Sequence, residues 1–284
     1  MAQDILAQAG LKVQATSSTR STPKSLHMTN AIFSAIIFSA VFSSATSISP
    51  DFCFADESSA LVQMRTALRK KTVADQFLRG YETTCREWTI ITGTGRAGTS
   101  FLVALFTNLG LPTFFTENDA KQALDSPWHA GLEACGSASA LLRTMTKYPT
   151  GICKSPFLAV PSETAVWSKY PALSHVIVPV RDLDAVAASR AENGMKMNGG
   201  FWNNAHDESE QRLADSKLLA DLVVTLAEKH FSPMFLAFPE HVLNASYAYR
   251  KLTPILKCYN VSFSHFQHVH GRLVDPDKIH EPSE

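Results

Sequence analysis

Apolar positions along the chain fall into two kinds of run, and their spacing predicts strands alternating with helices. Short unbroken runs at Trp88–Thr92, Gly151–Lys154 and His175–Arg181 suit strands covered on both faces. Thr113–Thr116 reads as a further strand. Longer stretches carry apolar residues at helical spacing. Phe101–Gly110 has a glycine stop with Pro112 just beyond, and Asp182–Arg190 opens on an acidic cap. Ser209–Phe231 gathers Leu218, Leu219, Leu222 and Leu226 on one face; Tyr247–Tyr259 is helical, and Glu57–Thr84 is a helix with a solvated basic face. This alternation predicts an α/β fold: a three-layer sandwich with a mostly parallel sheet of about four or five strands. The first three runs belong near its middle.

The first 55 residues read as a separate object. A Ser/Thr-rich leader bears Lys12, Arg20 and Lys24 against the single acid Asp4, then Ala31–Phe42 is apolar, then Ser43-Ser44-Ala45 is small. That is the pattern of a secretory signal, with Ala45 or Ala55 as the cleavage edge. Stretched to Ile48, the apolar span approaches the lower limit for a membrane helix, so an uncleaved anchor fits too. The long leader leaves an organelle-directed presequence open, and a buried core helix is the plain alternative. The expected organisation is therefore a targeting segment over 1–55 and one folded domain over 56–284. The expected location is the secretory pathway, Golgi lumen or secreted, with membrane contact only through an N-terminal anchor.

Composition narrows the functional classes. The 284 residues carry no formal net charge, which argues against nucleic-acid binding driven by whole-chain electrostatics. Hydrophobic residues at 45% against 18% charged place the chain among packed proteins rather than disordered ones. Cys53, Cys85, Cys135, Cys153 and Cys258 lack zinc-ligand spacing. In an oxidising lumen the last four allow three pairings. The sequons at Asn244 and Asn260 permit glycosylation. His265, His268, His270 and His280 crowd the C-terminus. His268 and His270 have strand-like spacing and no evident carboxylate partner, so an exposed tail is expected there rather than a metal site.

The candidate chemistry begins where the Trp88 strand meets Gly93-Thr94-Gly95-Arg96-Ala97-Gly98-Thr99-Ser100 and a helix follows. Backbone N–H groups of such a loop converge, and the helix dipole adds positive potential, so an anion belongs there, most naturally phosphate. The spacing is that of a P-loop, but Thr99 stands where a nucleotide-hydrolysing loop has lysine, and the cation sits earlier, at Arg96. A second strand–helix joint carries Arg181 and, eight residues on, Ser189. The first offers a charge-assisted fork to a phosphate and the second a hydroxyl donor. The structural alternative for Arg181 is an ion pair with Asp184. Lys154 ends the Gly151 strand.

Arg96-Ala97-Gly98-Thr99-Ser100-Phe101-Leu102 resembles the 5′-phosphosulfate loop of sulfotransferases that use 3′-phosphoadenosine 5′-phosphosulfate (PAPS). Arg181 and Ser189 have the spacing of that family's 3′-phosphate site, and Lys154 matches its strand-end lysine. Phe235–Pro239 and Tyr247–Tyr259 are similar to bacterial and algal members; the resemblance spans Trp88 to His280. It implies PAPS as co-substrate, adenosine 3′,5′-bisphosphate as product, and no metal. By the same resemblance Arg96, Ala97, Gly98, Thr99 and Ser100 hold the 5′ side and Arg181 with Ser189 the 3′ side, while Arg96 and Lys154 stabilise the leaving oxygen. Glu117, just past Thr113–Thr116, is the expected general base, with a plain loop acid as the alternative reading and His129 and Asp119 in reserve. The cytosolic branch carries histidine where Pro156 stands here, which disfavours that branch. His270-Gly271-Arg272 is a faint echo of the family's C-terminal basic loop.

The acceptor is a small-molecule, glycan or peptide hydroxyl (or an amine), and Asn118–Tyr148, with Trp128, His129, Met145 and Tyr148, is its expected wall. Two other functions compete. One is a P-loop kinase or NTPase in which Asp182 holds magnesium; the other is a catalytically silent relative that binds a partner through the same crevice.

Overall fold

Four strands form one all-parallel sheet: β1 (Trp88–Ile91), β2 (Gly151–Lys154), β3 (Leu173–Val180) and β4 (Met234–Ala237), in the order β2-β1-β3-β4. This computed structural model describes residues 85–126, 131–192, 200–202 and 204–279. The expected targeting segment 1–55, the Glu57–Thr84 helix, Trp128, His129 and His280 lie outside the described residues. None of the described helices is long and apolar enough to cross a membrane.

Parallel strands need crossovers, and helices supply them on both faces. The helices are α1 (Thr99–Asn108), α2 (Glu117–Asp125), α3 (Ala138–Lys147), α4 (Pro161–Trp167), α5 (Leu183–Ala191), α6 (Glu208–Glu228), α7 (Glu240–Leu243), α8 (Ala245–Cys258) and α9 (Phe263–Leu273). Strand periodicity sorts the core into two layers. Ile91, Ile177 and Leu236 pack with α1, α8 and α9 on one face. Trp88, Ile90, Val176 and Val178 pack with Leu141 of α3, Trp167 of α4 and the Leu218, Leu219, Leu222 and Leu226 stripe of α6 on the other. The expected sandwich is present.

Three local expectations are corrected. Gly151–Lys154 forms an edge strand rather than a middle one. Thr113–Thr116 is a loop: Phe114 has φ 67°, a left-handed turn that a strand ladder does not accommodate, and its ring stacks on Trp88 at 5.9 Å. One bond, from the Ile152 amide to the Pro112 carbonyl at 2.8 Å, is what ties that loop to the β2 edge. The C-terminal histidines lie on a helix rather than in a tail: His265, His268 and His270 are on α9, where His265 and His268 are exposed as expected and His270 is buried.

Two disulfides are formed, Cys85–Cys258 and Cys135–Cys153. The first joins residues 173 apart, a loop whose closure constrains the unfolded chain by about 5 kcal/mol in the chain-entropy account.

At the start of β2, a Cβ on Gly151 would lie 2.6 Å from two ring carbons of the fully buried Trp88 and 2.8 Å from Phe114. The Trp88 ring is fully buried and has little room to retreat, while Phe114 is partly buried. Gly151→Ala is therefore expected to destabilise the fold by about 1–3 kcal/mol through overpacking. Urea unfolding should show a lower midpoint with an unchanged slope; an unmoved midpoint would contradict the packing argument.

Candidate functional site

The carboxyl ends of β1, β2, β3 and β4 lie along one edge of the sheet, where ligands of open parallel sheets bind. The register sets Ile91 beside Lys154, so the loop leaving β1 starts next to the lysine that ends β2. Arg181 follows β3, and Phe238 follows β4.

The loop itself is built from left-handed turns. Gly93, Gly95 and Gly98 have φ of 137°, 75° and 78°, and Arg96 adopts 52°. Glycine takes such values without steric cost, which explains the spacing of the three. Gly98 is the N-cap of α1 and offers no capping side chain, so the first-turn amides are left for other acceptors.

A cavity of about 1230 Å³ opens over this edge. It is lined by Arg96, Gly98, Thr99, Ser100, Lys154, Arg181, Ser189 and Glu117, all but one of the residues expected to bind the donor or act on it. Ala97 is the exception: it is fully buried and does not line the cavity. The two expected half-sites touch. Arg96 Nε and Nη2 donate to Ser189 Oγ at 3.0 and 2.9 Å, and Arg181 Nη1 donates to the Arg96 carbonyl at 3.2 Å. The guanidinium of Arg181 also lies 4.8 Å from the Phe238 ring centre. Asp184, the alternative partner for Arg181, instead pairs with Arg212 at 2.7 Å.

Lys154 is almost wholly buried, and its ammonium donates to Ser100 Oγ at 3.1 Å, the Gly131 carbonyl at 2.5 Å and Glu133 Oε1 at 3.0 Å. Burial pulls its pKa down, the Glu133 charge and hydrogen bond oppose that, and Arg96 adds to the lowering. For Arg96, burial is again the main lowering cause, followed by repulsion from Arg190 and Arg181, with Glu192 opposing. Burial, more than mutual repulsion, therefore disfavours the charged forms of these cations.

Two important residues escaped sequence reading. Arg190 donates to the Gly200 carbonyl at 2.9 Å and to the Thr94 carbonyl, and pairs with the fully buried Asp215 at 3.6 Å, which ties the loop to α5 and α6. Glu133 carries no motif; only its contact with Lys154 reveals it. Other assignments change. Glu117 lines the cavity but begins a helix rather than ending a strand, because Thr116 and Asp119 form a capping box. That box engages Asp119, the reserve base, in holding the helix end. Met145 packs against the core and Tyr148 lies within it; neither lines the cavity, so they are not part of an acceptor wall. His270-Gly271-Arg272 is the last turn of α9, and its Arg272 lines the cavity. Among the described residues the one metal-like grouping is Cys85, Glu87 and Cys258, whose sulfurs are bonded to each other.

Neither a protein-family model nor a curated protein matches this chain.

Beneath the loop lies His241, fully buried. Its Nδ1 donates to the Ala237 carbonyl at 3.0 Å, and its Nε2 sits 2.6 Å from where a Cβ on Gly98 would be. Burial pushes its pKa down from 6.5 to about 4. Because the folded value is the lower one, the unfolded chain binds more protons between the two. The associated stability is complete above about pH 6.5 and is lost as pH falls toward 4, roughly 3 kcal/mol in all. His241→Asn should flatten this part of the curve when urea unfolding is followed from pH 7 to 4. Parallel wild-type and variant curves would remove His241 as the cause.

Proposed function

We propose that the chain is a PAPS-dependent sulfotransferase, transferring the sulfuryl group to a hydroxyl of its acceptor. The observation that carries this reading is the placement of Lys154. Its ammonium lies on Ser100 Oγ, in the cavity where Arg96, Arg181 and Ser189 also meet. A nucleotide-hydrolysing P-loop uses the corresponding hydroxyl to hold magnesium and a lysine at the Thr99 position for the terminal phosphates. Here the hydroxyl is engaged by a lysine from another strand. Asp182, the acid that would serve a kinase, accepts the Ala185 amide at 2.9 Å as the cap of α5. Both facts favour sulfuryl transfer over phosphoryl transfer.

In the proposed reaction the acceptor oxygen forms a bond to sulfur while the bond from sulfur to the bridging phosphate oxygen breaks. The electron pair leaves with that oxygen, giving adenosine 3′,5′-bisphosphate. Lys154, Arg96 and the first amides of α1 are placed to stabilise the charge that develops there. Arg181 and Ser189 take the 3′-phosphate. The two disulfides support folding in an oxidising compartment, in keeping with a secretory-pathway location.

Titration calorimetry with adenosine 3′,5′-bisphosphate and with ATP–magnesium separates the sulfotransferase from a kinase; preference for ATP–magnesium would defeat the proposal. Arg181→Ala is expected to weaken the bisphosphate about ten- to a hundredfold, the loss of one charge-assisted fork. Adenosine 5′-phosphate, lacking the 3′ group, should be weakened far less. Equal losses would mean that Arg181 only supports the Arg96 carbonyl.

A further inference from the structure

The cavity has an aromatic corner that the donor residues do not use. Phe157 is 51% exposed, and its ring meets Trp202 edge-on, with centroids 5.8 Å apart and planes at 83°. Trp202 is anchored from behind. The Trp202 amide donates to Gln211 Oε1 at 2.6 Å, Gln211 in turn bonds the buried Asp215 at 2.9 Å, and Arg190 lies 5.5 Å from the indole centre. Phe157 follows Lys154 by three positions in the chain, so the corner stands at the β2 end of the site. Glu133 is at the same end. It is bonded to the Lys154 ammonium that also bonds Ser100, and it is 39% exposed within the lined cavity. The Cys135–Cys153 bridge joins the segment bearing Glu133 to the residue preceding Lys154, which fixes the pair relative to one another.

A large exposed ring in a cavity gains most from a flat apolar surface laid against it. A carboxylate beside a strand-end lysine can accept a proton from a hydroxyl held at hydrogen-bond distance. Taking the sulfotransferase reading as its base, we infer that the acceptor docks at the β2 end, with a ring face against Phe157 and Trp202 and its hydroxyl at Glu133. The acceptor class is a hydroxyl borne on a ring with a flat apolar face, aryl or sugar. As the acceptor oxygen bonds to sulfur, its proton passes to a Glu133 carboxylate oxygen. Glu133, and not Glu117, is then the group that takes the acceptor proton. Lys154 bonds it directly, and the cavity lining around it also carries Arg96, Arg181, Arg190, Arg272 and Lys121 against Glu117, Asp125 and Asp275.

The test uses the full chain, labelled PAPS and two probes, 2-naphthol for the aryl arm and methyl β-galactoside for the sugar arm. Transfer to either probe is expected, and the arm that responds identifies the ring type. Phe157→Ala and Trp202→Ala should each raise the KM of that probe at least fivefold while bisphosphate affinity stays within twofold. Glu133→Gln should lower kcat about a hundred- to ten-thousandfold and remove the ascending limb of the pH–rate profile. Glu133→Asp should keep that limb. Thermal melts of each variant identify misfolding, and if Glu133→Gln melts early the limb in Glu133→Asp decides. The inference is overturned if Glu117→Gln loses the limb, if the aromatic variants leave KM unchanged, or if a protein that binds bisphosphate transfers to neither probe. Failure to bind bisphosphate at all would instead bring down the underlying reading.

Discussion

Several cations held together out of water repel one another, and the site depends on how that repulsion is contained. Arg96, Arg181, Arg190 and Lys154 converge on one glycine-rich loop, and burial and mutual charge disfavour the charged forms of Arg96 and Lys154. They are retained because backbone carbonyls and a few carboxylates absorb their donors. Arg181 is bonded to the carbonyl of Arg96, Arg190 to those of Thr94 and Gly200, and Lys154 to that of Gly131. Carbonyls supply partial charge without neutralising the group. The result is a pocket rich in cations whose donors are held in fixed directions.

The same bonds serve as struts. Arg190 joins the start of the loop to α5, and through Asp215 to α6, so the helix that covers one face of the sheet also determines where the loop lies. His241 fills the space under Gly98 on the opposite face, with α7 and α9 behind it. The loop is therefore braced from both layers of the sandwich. A disulfide does similar work on the β2 side, where Cys153 adjoins Lys154 and Cys135 lies near Glu133.

Much of this was legible in the chain. Wherever a residue's role depends on its immediate neighbours, pattern was enough. The β1, β2, β3 and α6 runs, the loop glycines and the Asp182 cap are local features, and the structure has them where spacing put them. Thr113–Thr116 failed for an equally definite reason. Its apolar residues are buried by packing against Trp88 and the core, not by strand pairing, and apolar content alone does not separate the two. The C-terminal histidines failed because α9 turns one face inward and burial of His270 comes from Phe101 and Phe266, one of them distant in sequence.

What the sequence determined by itself was the kind of sheet, the loop between β1 and α1 and the identity of most cations around it, since these follow from period, turn chemistry and charge within short windows. Tertiary structure decided the rest. It placed Glu133 on Lys154, Arg190 under the loop, Arg96 on Ser189 and Phe157 against Trp202, pairs that are 21 to 96 residues apart. Such pairs are made by strand order and helix packing, which join distant segments at one sheet edge, and no local pattern encodes which carboxylate or ring will arrive there.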